Sequence, residues 1–203
     1  MAVEPLTPER RRALTRQHLL EAAAVTFARR GFHSASLDEV AAAAGFSKGA
    51  VYSNFKNKED LFLTLLDERL QREFATAKDA LSHDPAVSEL SELVARLMWD
   101  DDWTALQLEF SLYAVRNPHA RAKLAALRRQ AIDETERMIR ADYERRGVAP
   151  QIAPRVVATL VLAIFRGLGL EHLVDSDLVD PPTVEAILAL LTGIEAQPPA
   201  LPG

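Results

Sequence analysis

The sequence contains no cysteine, which removes disulfides, thiolate metal sites and a cysteine nucleophile together. Aromatic residues make up only 6% of the 203 positions, so any cluster of them stands out. No long segment alternates apolar and polar residues as a half-buried strand does. The most apolar stretch, Val156 to Phe165, ends at Arg166 and is about half of the ~20 residues needed to span a bilayer. The five histidines (His18, His33, His83, His119, His172) are scattered, with no HExxH spacing, and neither a G-x-S-x-G elbow nor a P-loop occurs. These absences argue against an enzyme and lead us to expect no cofactor and no metal. The opening MAVEPLTPERRRALTRQHLL mixes acids and bases without an apolar core, unlike a signal peptide. The expectation is a soluble, all-helical, cytoplasmic protein with no membrane segment.

What is present is unevenly charged. The net charge is −5, yet residues 1–58 carry nine Lys and Arg against five acids, and the remainder carries 15 against 24. A basic module joined to an acidic body fits a nucleic-acid-binding part attached to a part that stays off it. Hydrophobic residues at 48% supply core enough for one or two domains.

Helix punctuation is clear in the basic module. Thr7 before Pro8 is an N-cap followed by proline at the first helical position. Leu19, Ala22, Ala23, Thr26 and Phe27 form one face, and Gly31 follows Arg29-Arg30 as a stop. Ser36 and Glu39 form a capping box for a second helix that buries Leu37, Val40 and Ala41, with Gly45 as the turn. Ser47 caps a third helix, Lys48 to about Phe55, and Asn57 with Asp60 opens a long fourth. Further breaks fall at SHDPAVSE, WDDDW, Asn117-Pro118, Gly147 and Asp180-Pro181-Pro182, giving about nine helices. The last two are expected at about 153–174 and 182–196, before a proline-rich tail.

Two short helices meeting at a glycine are either an ordinary helical corner or a helix-turn-helix whose second helix enters the major groove. Val51 and Phe55 form the buried stripe of the third helix. Lys48, Gly49, Tyr52 and Ser53 are left outward and Asn54 to the side. A cation, a bare backbone, a phenol and two short hydrogen-bonding groups suit DNA. Lys56 and Lys58 bracket the start of the fourth helix, where cations and free N–H groups suit phosphate.

The block SLDEVAAAAGFSKGAVYSNFKNKEDLF, with AAAVTFARRGFHSAS before it, resembles the DNA-binding segment of the TetR family of bacterial transcriptional regulators. The specific match covers about residues 15–66. The resemblance implies an all-α protein: a three-helix DNA-binding domain (residues 1–56) and a helical ligand-binding and dimerisation domain (57–203). Ser47, Lys48 and Gly49 would then open the recognition helix, Tyr52 would hold phosphate and Lys58 would anchor another. Ser36 would bind phosphate besides capping. Asn54 departs from the histidine common in the family and suits adenine N6/N7. Ala50 stands where a hydroxyl is frequent and fits a thymine methyl.

The resemblance also implies a homodimer joined through the last two long helices, reading a palindromic operator in double-stranded DNA. The sequence supports this independently. The segment 153–174 is apolar on more than one face (Val156, Val157, Leu160, Val161, Ile164, Phe165, Leu168), and 182–196 adds Ile187, Leu188, Leu191 and Ile194. The family's small-molecule pocket lies in the second domain. Trp99, Trp103, Leu106, Glu109, Phe110, Tyr113 and Phe165 are therefore candidate pocket residues, with simple core packing as the alternative. The expected function is a repressor released by a small-molecule effector. Activation within the same family, or an all-helical binding protein that never meets DNA, are the alternatives.

Overall fold

Helix ends fall where the capping residues stand. The computed structural model describes residues 7–83, 87–98 and 100–192. Among the described residues there are nine α-helices, one short 3-10 turn and no strand, so the all-α expectation holds. Helix α1 (Pro8–Ser34) starts at Thr7, whose Oγ1 accepts the Arg10 N–H at 3.2 Å. It is interrupted at Gly31 (φ 73°, ψ 165°), a conformation essentially closed to residues with a Cβ, and a last turn then carries Phe32 inward. Helix α2 (Leu37–Ala44) ends at Gly45 in the left-handed region, φ 71°. There Phe46 N–H reaches Ala41 O at 3.0 Å and Gly45 N–H reaches Ala42 O at 3.2 Å, a Schellman closure. Helix α3 (Lys48–Asn54) starts at Ser47, whose Oγ accepts the Ala50 N–H at 3.2 Å.

Asn57 caps α4 (Lys58–Ser82), its Oδ1 accepting the Asp60 N–H at 2.8 Å. Helix α5 (Val87–Met98) is followed by α6 (Asp101–Arg116), at whose start Asp100 Oδ1 accepts the Trp103 N–H at 3.0 Å. Helix α7 (Pro118–Arg146) stops at Gly147, and α8 (Pro154–Val174), a 3-10 turn (Ser176–Leu178) and α9 (Pro181–Thr192) complete the order. The expected extension of the last helix to 196, with Ile194, and the proline-rich tail lie outside the described residues.

By contact the chain forms two units. One comprises the chain up to Arg69 with Leu106–Leu124; the other comprises Leu70–Ala105 with the chain from Ala125 onward. The grouping is not sequential: most of α6 and the first turns of α7 join the N-terminal helices.

In the first unit Leu19, Ala23 and Phe27 from α1, Val40 and Ala41 from α2, Val51 from α3, and Leu61, Phe62 and Leu65 from α4 are buried. Most of the α1 face expected from the spacing is inside; Ala22 is half-buried. The rings continue through Phe32 onto α6: Phe32 lies 5.3 Å from Phe62, 4.9 Å from Phe110 and 5.0 Å from Tyr113, and Phe62 lies 4.4 Å from Phe110. Each buried phenyl contributes about 2–3 kcal/mol by area alone. In the second unit Leu93 and Val94 of α5 pack with Val179, and with Val184 and Leu188 of α9, joined by Phe165 and Leu168 of α8.

Helix α8 is long and apolar enough to cross a membrane by length and composition alone, the one such helix among the described residues. Little of it is buried within this chain.

The Gly31 break frees the Phe32 N–H, and Glu109 Oε2 of α6 accepts it at 2.8 Å. A Cβ at Gly31 would lie 2.7 Å from Glu109 Oε1. Gly31→Ala is therefore expected to destabilise the protein by about 1–3 kcal/mol, from backbone strain and displacement of this carboxylate. A lowered urea midpoint with unchanged slope is the signature. An unchanged midpoint would show that the corner tolerates a side chain.

Candidate nucleic-acid interface

Helix α3 is too short for more than one buried stripe. Val51 and the following Phe55 point inward, fully buried, and Tyr52 and Ser53 between them are turned out. Ser47, Lys48, Gly49 and Ser53 are exposed, and Tyr52 has 59% of its surface in solvent. Ala50 and Asn54 are half-buried on its flank, and Lys56 is exposed beyond its end. Ser36 stands exposed at the start of α2 and Lys58, half-buried, at the start of α4. The ten residues expected to meet DNA thus belong to one unit.

Their hydrogen bonds set conditions on how they act. Lys48 Nζ is paired with the Asp38 carboxylate of α2, which raises the Lys48 pKa. Ser53 Oγ and Asn54 Nδ2 both donate to Ala50 O, at 2.9 and 2.8 Å. The Asn54 amide nitrogen carries two hydrogens, and the second faces only a longer contact to Ser53 Oγ at 3.4 Å. Lys58 Nζ donates to His33 O at 2.8 Å and Ala35 O at 3.0 Å and sits 4.8 Å from the Phe32 ring centroid. Burial pushes its pKa down, opposed by the charge of Glu39. An ammonium has three donors, so two bonds to the α1–α2 corner leave one for a phosphate. The Lys56 N–H is held by Asp60 Oδ2 at 3.1 Å.

The capping box at Ser36 is complete: Glu39 N–H donates to Ser36 Oγ at 3.2 Å, and Glu39 Oε2 accepts the Ser36 N–H at 2.9 Å. Glu39 also pairs with Arg30 at 3.1 Å. The hydrogen bonds from Ser36, with the Arg30 charge added, hold the Glu39 carboxyl below its ordinary value.

Two contacts were not visible in the sequence. Arg12 Nη2 donates to Ser53 O at 3.1 Å and Arg16 Nη1 donates to Asn54 O at 3.0 Å, both from α1 to the end of α3. The partners are 41 and 38 residues apart, so no local spacing signals them. The clustering of arginines at residues 10–16 was the sole hint.

The residues expected to form a pocket are shared between the two units. Leu106, Glu109, Phe110 and Tyr113 lie in the first unit, where Glu109, Phe110 and Tyr113 surround Phe32. Trp103, buried, and Phe165, packed on the α5–α9 cluster, lie in the second. Trp99 lies outside the described residues.

A short helix set against another across a glycine corner, its outer face offering a cation, a phenol and hydroxyls, defines a DNA-binding helix-turn-helix protein. Comparison with known proteins narrows the class. Residues 19–65 match the model described as "Bacterial regulatory proteins, tetR family", and residues 86–193 match "BetI-type transcriptional repressor, C-terminal". The chain belongs to the TetR family of transcriptional regulators. Its members bind DNA to regulate transcription and are not enzymes.

Among its relatives is the transcriptional repressor AcnR of Corynebacterium efficiens, 34% identical over 54% of this chain and 55% of that protein, so the match spans about half of AcnR. The nicotine-responsive transcriptional repressor HdnoR of Paenarthrobacter nicotinovorans is 29% identical over 79% of this chain and 84% of its own. The regulator FadR from Bacillus subtilis, crystallised with stearoyl-CoA, shares the fold with a TM-score of 0.70 at 18% identity, over 88% of this chain and 98% of that one.

The capping box supplies a pH test. Because Glu39's folded pKa lies below its unfolded value, its contribution to stability is present above the unfolded value. It is lost as pH falls through the folded one. Glu39→Gln should be less stable than the native chain at pH 7, with the gap closing in acid below the carboxylate range. Urea midpoints at neutral and acid pH measure this, and a gap that persists unchanged in acid would contradict it.

Proposed function

We propose that this protein is a homodimeric repressor that holds a palindromic operator through two copies of α3 and is released by a small-molecule effector. The observation that carries the reading is the outer face of α3, where Lys48, Gly49, Tyr52 and Ser53 stand exposed on a helix fixed from behind by Val51 and Phe55. Ser47 and Ala50 flank the base-reading side, with Asn54 available to adenine. Ser36, Tyr52, Lys56 and Lys58 take phosphates. Repressors among the relatives support the direction of control. A regulator of this kind works in the cytoplasm, where bacterial DNA lies.

The dimer reading rests on a second observation. Val156, Leu160, Ala163, Gly167, Leu170 and Val174 are all exposed along α8, spaced alternately four and three residues apart. An apolar seam with that period is what one helix packs against another. Leu190 on α9, 83% exposed, adds apolar surface. Two subunits joined there would present two recognition helices about 34–36 Å apart, one turn of DNA.

The effector would act from the helices after α4. Trp99, Trp103, Leu106, Glu109, Phe110, Tyr113 and Phe165 are the candidate residues for sensing it. To release DNA it must bind the form incompatible with the operator better than the form that fits, since equal affinity shifts nothing.

Selection of bound fragments from the source genome by the purified protein, across a salt series, tests the reading. Recovery of one palindromic site, with affinity falling steeply as salt rises, is expected. Lys48→Ala and Tyr52→Phe should weaken binding without unfolding the chain. Binding with no sequence preference would sink the operator model, and no binding by folded protein would sink the DNA reading. Leu160→Glu should yield monomers in sedimentation; a variant that stayed dimeric would move the interface elsewhere.

A further inference from the structure

A recognition helix of seven residues has nearly as many free ends as internal bonds. Its last carbonyls must find partners, and several of these come from side chains and from the C-cap. Ala50 O accepts Ser53 Oγ and Asn54 Nδ2, and Val51 O accepts the Phe55 N–H at 2.9 Å. Ser53 O and Asn54 O, the two outermost, accept Arg12 and Arg16 of α1. Arg12 and Arg16 are four residues apart, so both guanidiniums leave the same face of α1 and converge on one helix end. Their charge also opposes the negative end of the α3 dipole.

The two arginines are not equivalent. Arg12 is exposed and makes one bond of this kind. Arg16 is half-buried and tied at three places: Asn54 O at 3.0 Å, Thr64 Oγ1 of α4 at 3.4 Å, and the Phe55 ring, whose centroid is 4.5 Å from its Cζ. Thr64 itself donates to Asp60 O at 2.8 Å, so the far anchor is fixed. Only a planar fork with several donors can stack on a ring while bonding to two different helices.

We infer that Arg16 is a positioning residue for DNA reading: with Arg12 it closes the C-terminal end of α3 and fixes the angle at which that helix meets the major groove. This rests on the DNA-reading function proposed above. The role differs from a phosphate contact, because Arg16 directs its donors into the protein. A groove-reading helix held at one end by Ser47 alone would keep its composition and lose its aim.

The test uses the full-length native chain, Arg16→Lys and Arg16→Ala, with hydrogen exchange measured first on DNA-free protein. Amides around Asn54 and Phe55 should exchange faster in both variants, while those in the α1 core keep their protection. Binding is then measured to the selected operator and to random duplex across a salt series. Operator affinity should fall about tenfold or more in both variants, in keeping with loss of a charged hydrogen bond. Random-duplex affinity and the slope of log K against log salt should stay unchanged.

Rescue by lysine, or a slope reduced by about one with random-duplex affinity reduced equally, would make Arg16 a phosphate ligand and overturn the inference. Native operator affinity in both variants would overturn it too. Should Arg16→Ala fail to fold, Arg16→Lys, which keeps charge and stem, carries the same comparison. Failure of the native chain to select any operator would defeat the DNA reading separately. Local exchange near Asn54 would then still decide whether Arg16 closes the helix.

Discussion

A helix of seven residues cannot sustain itself in water, since isolated helices shorter than ~12–15 residues are marginal even with favourable sequences. The N-terminal unit is organised around that constraint. Helix α3 is short and exposed on one side, as the proposed groove reading requires, so its stability comes from its ends and its single buried stripe. Ser47 holds the first turn, Val51 and Phe55 bury the stripe, and α1 reaches across with two guanidiniums to hold the last. Each device also orients the helix. On the proposed DNA reading, stability and aim come from the same contacts.

The same economy recurs at the α1–α2 corner. Gly31 breaks α1 so that Phe32 turns into the core, and the exposed backbone is then taken up by side chains from two other helices. Glu109 of α6 accepts the Phe32 N–H, while Lys58 of α4 donates to the carbonyls of His33 and Ala35. Phe32 itself contacts Phe62 and Phe110. One glycine thus draws α4 and α6 onto the end of α1. With Lys123 of α7 paired to Glu59 and Asp60 of α4, these contacts tie residues 106–124 to the N-terminal helices.

These two corners also divide what the sequence discloses from what it hides. Thr7, Ser36, Gly45 and Ser47 mark their helix ends by local chemistry, within three or four residues, and the structure places the boundaries at those positions. The face Leu19, Ala23, Thr26 and Phe27 is legible for the same reason, as a period along one helix. Arg16, Glu109 and Lys58 act across 38, 77 and 25 residues, and nothing near them names the partner. Lys58 appeared suited to phosphate from its place at a helix start. Its two inward bonds emerge only when the α1 corner is folded beside it. The aromatic cluster around residue 110 was visible as composition, but whether it belongs with α1 or with α8 depends on tertiary contacts that no periodicity encodes.

Helix α8 shows how far composition alone can mislead. Its length and apolarity match a membrane span, and little of it is covered within the chain. Composition does not distinguish lipid from a second protein surface, but pattern does. Lipid surrounds a helix and imposes no seam, whereas the exposed small and apolar residues Val156, Leu160, Ala163, Gly167, Leu170 and Val174 recur with alternating steps of four and three, the period of helix-on-helix packing. Arg155, paired with Asp133 and Glu136 of α7, Arg166 and Glu171 interrupt the remaining surface with charge. At Gly167, in mid-seam, an added Cβ would meet nothing within 4 Å, leaving room for another helix to approach closely. A surface apolar along one line, charged beside it and open at a glycine fits a partner helix better than a bilayer, which is why the dimer is proposed there.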